Sequence, residues 1–312
     1  MSKFAFVFPG QGSQYVGMGR ELWQTPAGQE AVATARAVLG QEFLDIIAEG
    51  PAEILQQTAN TQPAILLVSV AAWQLLAEEG IKADYLAGHS LGEYSAHVAA
   101  GSLSLADALQ VVRKRGELMQ DAVPVGEGSM AAILGLNTEG VEEACRRASE
   151  LGAVSPANYN CPGQIVISGS APAVSRAMEL AKELGAKRAM PLAVSGPFHS
   201  ELMTPAGNRF REVLSAVRWQ DPERPVIANV NASPVTASVQ IIESLVKQVS
   251  SPVRWEQSIR YLAAEGVDTF VECGPGKVLT GLIKKIAPQS VLLNVEDLSS
   301  LEKSLAYLKE SR

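Results

Sequence analysis

The pentapeptide Gly88-His89-Ser90-Leu91-Gly92 lies between the apolar run Tyr85-Leu86-Ala87 and a helical stretch that stops at Gly101. A strand that turns directly into a helix forces its apex residue into a tight backbone conformation, and glycines on both sides remove the side chains that would clash. The hydroxyl of Ser90 then stands exposed at the sheet edge as a candidate nucleophile. Leu91 presents a backbone N–H at the helix N-terminus, where negative charge developing on a substrate oxygen is stabilised. Five residues can also match by chance as a Gly/Ser turn, so the rest of the chain has to decide.

At 312 residues, 47% of them hydrophobic and 19% charged, the chain can bury a sizeable core as one large domain or two moderate ones. Its longest apolar run, Ala64 to Ala77 with Ser69 and Gln74 inside it, is shorter than the roughly 20 residues a membrane span needs and reads as a buried helix. The N-terminus lacks the longer apolar core and cleavage site of a signal peptide and reads as a first strand, so a cytoplasmic protein with no membrane partner is expected. Cys145, Cys161 and Cys273 are odd in number and far apart, without metal or disulfide spacing, and read as reduced core thiols. A net charge of -7 argues against a nucleic-acid partner.

After the first strand, Pro9-Gly10-Gln11-Gly12-Ser13-Gln14 is a glycine-rich turn leading towards a helix, either a plain connection or a loop whose amides approach a ligand oxygen. Residues 27 to 79 read as successive helices, the last opening at Thr61-Gln62-Pro63 with proline where a helix begins. Beyond Gly101, Ser104 and Asp107 cap a helix running to about Asp121. Its apolar stripe is Leu105, Ala108, Val112 and Met119, and the missing member of the series is Arg115. A guanidinium there either snorkels to water, pairs with a structural carboxylate or needs another partner, since an unpaired buried charge costs several kcal/mol. Arg113 and Lys114 lie off the stripe and read as solvated.

Residues 126 to 194 change character. Strands at 130–136, 153–159, 164–168 and 187–194, with helices at 138–151 and 171–184, give the order βαββαβ of a split ferredoxin-like unit inserted into a larger α/β body. The segment 158–164 reads as turn chemistry. The body resumes at Ser195 and continues with a helix from about 201 to 217, a strand at 225–230 and helices around 238–249 and 255–265. A strand at 268–273 follows, turned by Gly274-Pro275-Gly276 into a helix, and then a strand at 291–295 and a helix from Ser299.

The base for Ser90 can be sought by elimination among three histidines. His89 precedes the nucleophile and points away from it. His97 lies about 10 Å along the following helix at 1.5 Å per residue, beyond hydrogen-bond reach. His199 remains, in a Gly/Pro-containing loop before a helix. Between serine and histidine the only aspartates are Asp107, already a cap, and Asp121, and no glutamate, Glu93 included, sits at a strand end. The base is therefore expected to be oriented by a neutral group such as a backbone carbonyl.

Gly-His-Ser-Leu-Gly-Glu-Tyr-Ser at 88–95, Gly-Gln-Gly-Ser-Gln at 10–14, Arg115, Gly-Pro-Phe-His-Ser at 196–200 and Gln-Val-Ser-Ser-Pro-Val-Arg at 248–254 together make the chain resemble the bacterial malonyl-CoA:acyl carrier protein transacylases, essentially end to end. The resemblance implies an α/β-hydrolase-like body with a parallel sheet (1–125 and 195–312) and an inserted ferredoxin-like subdomain (126–194). It implies that Ser90 carries the malonyl group, that His199 is general base and acid, and that Arg115 pairs with the malonyl carboxylate. Gln11 and Leu91 would supply oxyanion-hole N–H groups, the Gln248 carbonyl would orient His199, and Phe198 would disfavour branched acyl groups. Malonyl-CoA would be substrate and acyl carrier protein the acceptor, its phosphopantetheine arriving with it. No permanently bound cofactor or metal is expected, and the chain is expected to act as a monomer. Lys284, Lys285, Lys187 and Arg188 are the candidate surface for the acidic carrier. His97 departs from the apolar residue expected there. A thioesterase or carboxylesterase using the same Ser/His pair with water, and a non-catalytic carrier-binding module, are the competing readings.

Overall fold

The computed structural model describes residues 2–194 and 196–311; Met1, Ser195 and Arg312, two of which begin expected segments, lie outside the described residues. In chain order the elements are β1 Lys3–Phe8, α1 Pro26–Leu39, α2 Gln41–Glu49, α3 Ala52–Leu55, α4 Thr58–Glu78, β2 Tyr85–Gly88, α5 Gly92–Ala99 and α6 Leu105–Gln120. The middle of the chain forms β3 Gly128–Leu134, α7 Thr138–Ala148, β4 Val154–Cys161, β5 Gln164–Ser170, α8 Ala171–Glu183 and β6 Arg188–Pro191. The remainder forms α9 Thr204–Ser215, β7 Val226–Ile227, β8 Pro234–Val235, α10 Ser238–Ser250, α11 Trp255–Ala264, β9 Val267–Cys273, α12 Val278–Ile286, β10 Val291–Val295 and α13 Leu298–Glu310.

The larger sheet runs β10-β9-β1-β2-β7-β8, with parallel pairing from β10 to β7 and an antiparallel β8 at the edge. β1 is buried from Phe4 onwards because both its faces are covered, as in parallel sheets generally. Phe4, Phe6 and Phe8 turn to the side of α4, in one core with Ile65, Leu66 and Val68. Ala5 and Val7 turn to the other side, towards Trp255 and Ile259 of α11 and Leu279 of α12. The register pairs Phe8 with Gly88, so the loop after β1 and the turn after β2 emerge side by side at the carboxyl ends of the strands. That is where ligands of α/β sheets bind.

The smaller sheet has the order β4-β5-β3-β6, antiparallel throughout. Ala131, Ile133, Ile165 and Ile167 face α7 and α8. Met130, Ala132, Ala157 and Val166 on the opposite face join the core of the larger body. The two sheets are stitched where Asn158 bridges to Val253, with the Tyr159 N–H donating to the Val253 carbonyl at 2.9 Å and the Val253 N–H to Ala157 at 2.8 Å. Among the described residues no helix is long and apolar enough to cross a membrane.

Several local expectations change. Helix α4 begins at Thr58, so Pro63 lies inside it and withholds one backbone donor from the ladder. Side chains set that start, Asn60 Nδ2 donating to the Ile54 carbonyl and Thr61 Oγ1 to that of Leu55. Arg113 is half-buried rather than solvated, donating to Asn60 Oδ1 over the Phe43 ring. The segment 158–164 is mostly strand, with β4 reaching Cys161 and β5 starting at Gln164. The strand expected at 225–230 pairs only over Val226–Ile227, because the Ala228 N–H turns to Ser233. That expected at 187–194 spans Arg188–Pro191. The glycine-rich turn at 9–14 leads through further turns and a short 3-10 segment, Leu22–Gln24, before the first α-helix.

Candidate active site

Ser90 occupies the turn between β2 and α5 with φ of 52°, a left-handed conformation that costs a non-glycine residue about 1–3 kcal/mol. The flanking glycines are required by packing: a Cβ on Gly88 would overlap the Gly92 backbone, and one on Gly92 would overlap the Phe8 carbonyl. Asn229, in the turn after β7, holds the strained apex from below. Its Oδ1 accepts the Ser90 N–H at 2.7 Å and its Nδ2 donates to the Gly88 carbonyl at 2.7 Å.

His199 sits opposite, itself at φ 60° and buried. Its Nε2 lies 2.7 Å from Ser90 Oγ and its Nδ1 2.8 Å from the backbone carbonyl of Gln248. Because a carbonyl oxygen can only accept, Nδ1 carries the proton and Nε2 is free to accept from the serine hydroxyl. Burial first, and then the Arg115 guanidinium, push the imidazole down to about 3, so the ring is neutral near pH 7 with the Nε2 lone pair facing the serine hydroxyl. The partner of Nδ1 is thus a peptide carbonyl and not a carboxylate.

Arg115 projects from α6 and is buried. Gly116 beside it lets α6 approach α4 so closely that a Cβ would lie 2.7 Å from Ala59 Cα, which brings the guanidinium onto Gln62. Nη1 donates to Gln62 Oε1 at 2.9 Å, and Nη2 donates to Gln248 Oε1 at 2.9 Å and to Ser90 Oγ at 3.1 Å. The Tyr94 ring lies beneath it, 5.4 Å from the guanidinium carbon. Among the described residues Arg115 forms no salt bridge, and its Nε has no partner. All its protein acceptors are uncharged, so the solvated and carboxylate-paired readings both fall away.

Ser90, His199, Arg115 and Gln62 line one cavity of about 110 Å³, with Gln11, Leu91 and Phe198. That is well below the about 300 Å³ at which sites begin to enclose a whole drug-sized ligand; the space suits a short acyl group. Met119, Met130, Leu192 and Val194 give it an apolar wall. Among the described residues no acceptor is found for the N–H of Gln11 or of Leu91, which leaves both amides for an oxygen in the cavity.

His89 turns away, as expected, its Nε2 2.8 Å from Asn160 Oδ1 of β4. His97 is buried with neither ring nitrogen partnered, edge-on to Trp219. Lys284 and Lys285 are exposed on the last turn of α12, and Lys187 and Arg188 are exposed at the start of β6. Lys285 Nζ reaches Gln164 Oε1 at 3.5 Å, and Gln164 and Arg188 both pair with Leu134, so the two basic pairs share one edge of the molecule. Among the described residues no cluster of three or more His, Cys, Asp or Glu side chains is gathered to hold a metal ion. Sequence reasoning missed Gln62, Asn229 and the side chains of Glu93 and Gln248. The available signal was a run of polar residues, Glu93, Ser95 and His97, inside a helix buried on every side.

A strained serine facing a neutral histidine, beside two unengaged amides, marks a serine acyl-transfer enzyme on an α/β sheet. The chain belongs to the acyl transferase domain family, whose model matches residues 5–302. It is 54% identical over 312 residues to the malonyl CoA-acyl carrier protein transacylase of Bacillus subtilis, covering 99% of this chain and 98% of that protein. The crystal structure of an acyl carrier protein S-malonyltransferase from Vibrio cholerae superposes with a TM-score of 0.95 at 46% identity, over 97% of this chain and 100% of that one. A malonyl-transacylase solved in complex with its type II PKS acyl-carrier protein superposes with a TM-score of 0.95 at 43% identity, over 98% of this chain and 100% of that one.

Proposed function

We propose that this chain moves a malonyl group from malonyl-CoA to the pantetheine thiol of acyl carrier protein through a malonyl-Ser90 intermediate, supplying fatty-acid chain elongation. Ser90 Oγ attacks the thioester carbonyl while His199 Nε2 takes the hydroxyl proton. The oxyanion rests on the N–H groups of Gln11 and Leu91, and its collapse breaks the C–S bond. The imidazolium returns the proton to the departing CoA thiolate. In the second half-reaction His199 takes the pantetheine thiol proton, the thiolate attacks the ester and Ser90 regains its hydrogen. None of these steps calls on a bound cofactor.

The observation that carries the reading is the buried Arg115 guanidinium, beside Ser90 Oγ and facing only uncharged acceptors. An acyl group that ends in a carboxylate supplies the missing charge in a geometry the arginine fork suits. Phe198 narrows the space next to the base and disfavours branching at the α-carbon. We take residues 1–125 and 195–312 as the catalytic body and 126–194 as the inserted subdomain, one chain supplying every group named. The working unit is then a monomer, acting in the cytoplasm. The carrier docks on the edge that bears Lys187, Arg188, Lys284 and Lys285.

Intact-mass analysis after incubation with malonyl-CoA alone tests the reading. A lasting malonyl adduct that Ser90→Ala abolishes and added carrier protein discharges is expected. Steady CoA release without an adduct makes the chain a hydrolase, and neither result leaves a binding module.

A further inference from the structure

Glu93 is fully buried one turn behind the nucleophile and is used by no step above. Burial pushes its carboxyl up to about 7, against the opposing pull of the Asn229 N–H, the Gln248 amide and Arg115. Burying a carboxyl is costly unless hydrogen bonds compensate it, which makes its partners informative. Its Oε2 accepts from the backbone N–H of Asn229 at 3.0 Å and from Gln248 Nε2 at 2.7 Å. Each of those residues then touches the site. Asn229 holds Ser90 N and the Gly88 carbonyl. Gln248 Nε2 also donates to the Ser90 carbonyl at 2.9 Å, and its Oε1 accepts from Arg115 Nη2.

The Gln248 amide has two possible orientations, related by a flip that exchanges oxygen for NH2. On one side lie the carbonyl of Ser90, able only to accept, and Oε2 of Glu93, which accepts there, so that side must be the NH2. The oxygen is then forced to face Arg115. Reversed, the amide would set NH2 against a guanidinium, donor against donor. Glu93 thus reaches Arg115 through a neutral spacer. A carboxylate in direct contact would neutralise the guanidinium and compete with an incoming one, and no such pair forms.

We propose that Glu93 is a positioning residue for acyl selectivity: it fixes the Gln248 amide so that Arg115 is oriented yet unpaired for the carboxylate of the acyl group. This rests on the reading of Arg115 given above.

The test compares single-turnover loading of Ser90 from malonyl-CoA and from acetyl-CoA in Glu93→Gln, Glu93→Leu and, as a separate control on that reading, Arg115→Ala. Glu93→Gln keeps an oxygen that accepts both N–H groups, so its malonyl-to-acetyl ratio should stay within about threefold of the parent. Glu93→Leu takes away the shortest contact that holds the Gln248 amide, leaving the Ser90 carbonyl at 2.9 Å on that side, and loss of a hydrogen bond to a charged group predicts a fall of at least about tenfold in that ratio. A purely structural role lowers Tm and both loading rates together, and a Glu93→Leu ratio equal to the parent's therefore overturns the proposal. So does Glu93→Gln if it collapses the ratio by itself, a result available even if the leucine variant does not fold. If Arg115→Ala leaves the ratio unchanged, the reading of Arg115 fails, and that is seen apart from either Glu93 result.

Discussion

The Nδ1 of His199 lies 2.8 Å from the main-chain oxygen of Gln248, so the imidazole is aimed by a peptide carbonyl. A carbonyl stabilises imidazolium less than a carboxylate does, and burial with the nearby Arg115 holds the ring down to about 3. The neutral, competent form then persists as pH falls through 6.5. Single-turnover acylation at saturating malonyl-CoA should show no histidine inflection near that pH, and His199→Ala should lower the rate by about 10²–10⁴-fold. A limb at pH 6.5 that vanishes in the alanine variant would show a solvated, differently held base.

Arg115 should decide between acyl groups. A buried guanidinium left unpaired by the wrong substrate costs several kcal/mol, so it should reject acetyl as well as attract malonyl. Arg115→Ala should depress malonyl loading by about 10²-fold or more while leaving acetyl loading equal or improved. Arg115→Lys should restore malonyl loading only in part, because a point charge replaces the fork. Equal loss for both acyl groups would make the residue structural.

The basic edge should matter only to the acceptor. Reversing Lys284 and Lys285 to glutamate should slow transfer to the carrier and weaken its salt dependence, with loading from malonyl-CoA spared. Adding reversal of Lys187 and Arg188 should deepen the effect. Equal loss in both half-reactions would place the docking surface elsewhere.

His97 should set an acid limit on stability. Burial holds it down to about 3 in the folded chain, whereas it titrates near 6.5 when unfolded. Below pH 6.5 the unfolded state therefore binds a proton that the native state refuses, and stability falls as pH drops from 6.5 towards 3. His97→Leu should remove about 2 kcal/mol of the stability lost between pH 7 and 5, read from denaturant midpoints at each pH. An unchanged difference between the two pH values would mean that the ring is solvated or partnered.

Ser90, His199 and Arg115, which the fold brings together, were legible because each breaks a local pattern. Ser90 stands between glycines at a strand end, His199 is what elimination leaves, and Arg115 interrupts an apolar stripe. Gln62, Asn229 and the amide of Gln248 break no such pattern, since a polar residue near a helix or turn end is ordinary, and Glu93 shows only in the polar run it makes with Ser95 and His97. Their roles come from convergence of α4, α5, the turn after β7 and α10 in space. The βαββαβ order was legible from hydrophobic alternation, but the extent of 158–164 was not, because Asn158 and Asn160 look like turn residues until Val253 pairs beside them. Pro63 misled for a related reason: side chains of Asn60 and Thr61 begin the helix one turn before the proline.

The seam at Asn158 and Val253 also divides labour along the gene. Met130, Asn158, Leu192 and Val194 of the cavity come from the stretch between β3 and the end of the loop after β6, whereas Ser90, Arg115 and His199 come from either side of it. Recombination that exchanged this stretch alone would hand the same reacting atoms a chamber of another shape. Arg115 and Phe198 lie outside the stretch, so such an exchange would retune the apolar wall around a carboxylate preference left in place.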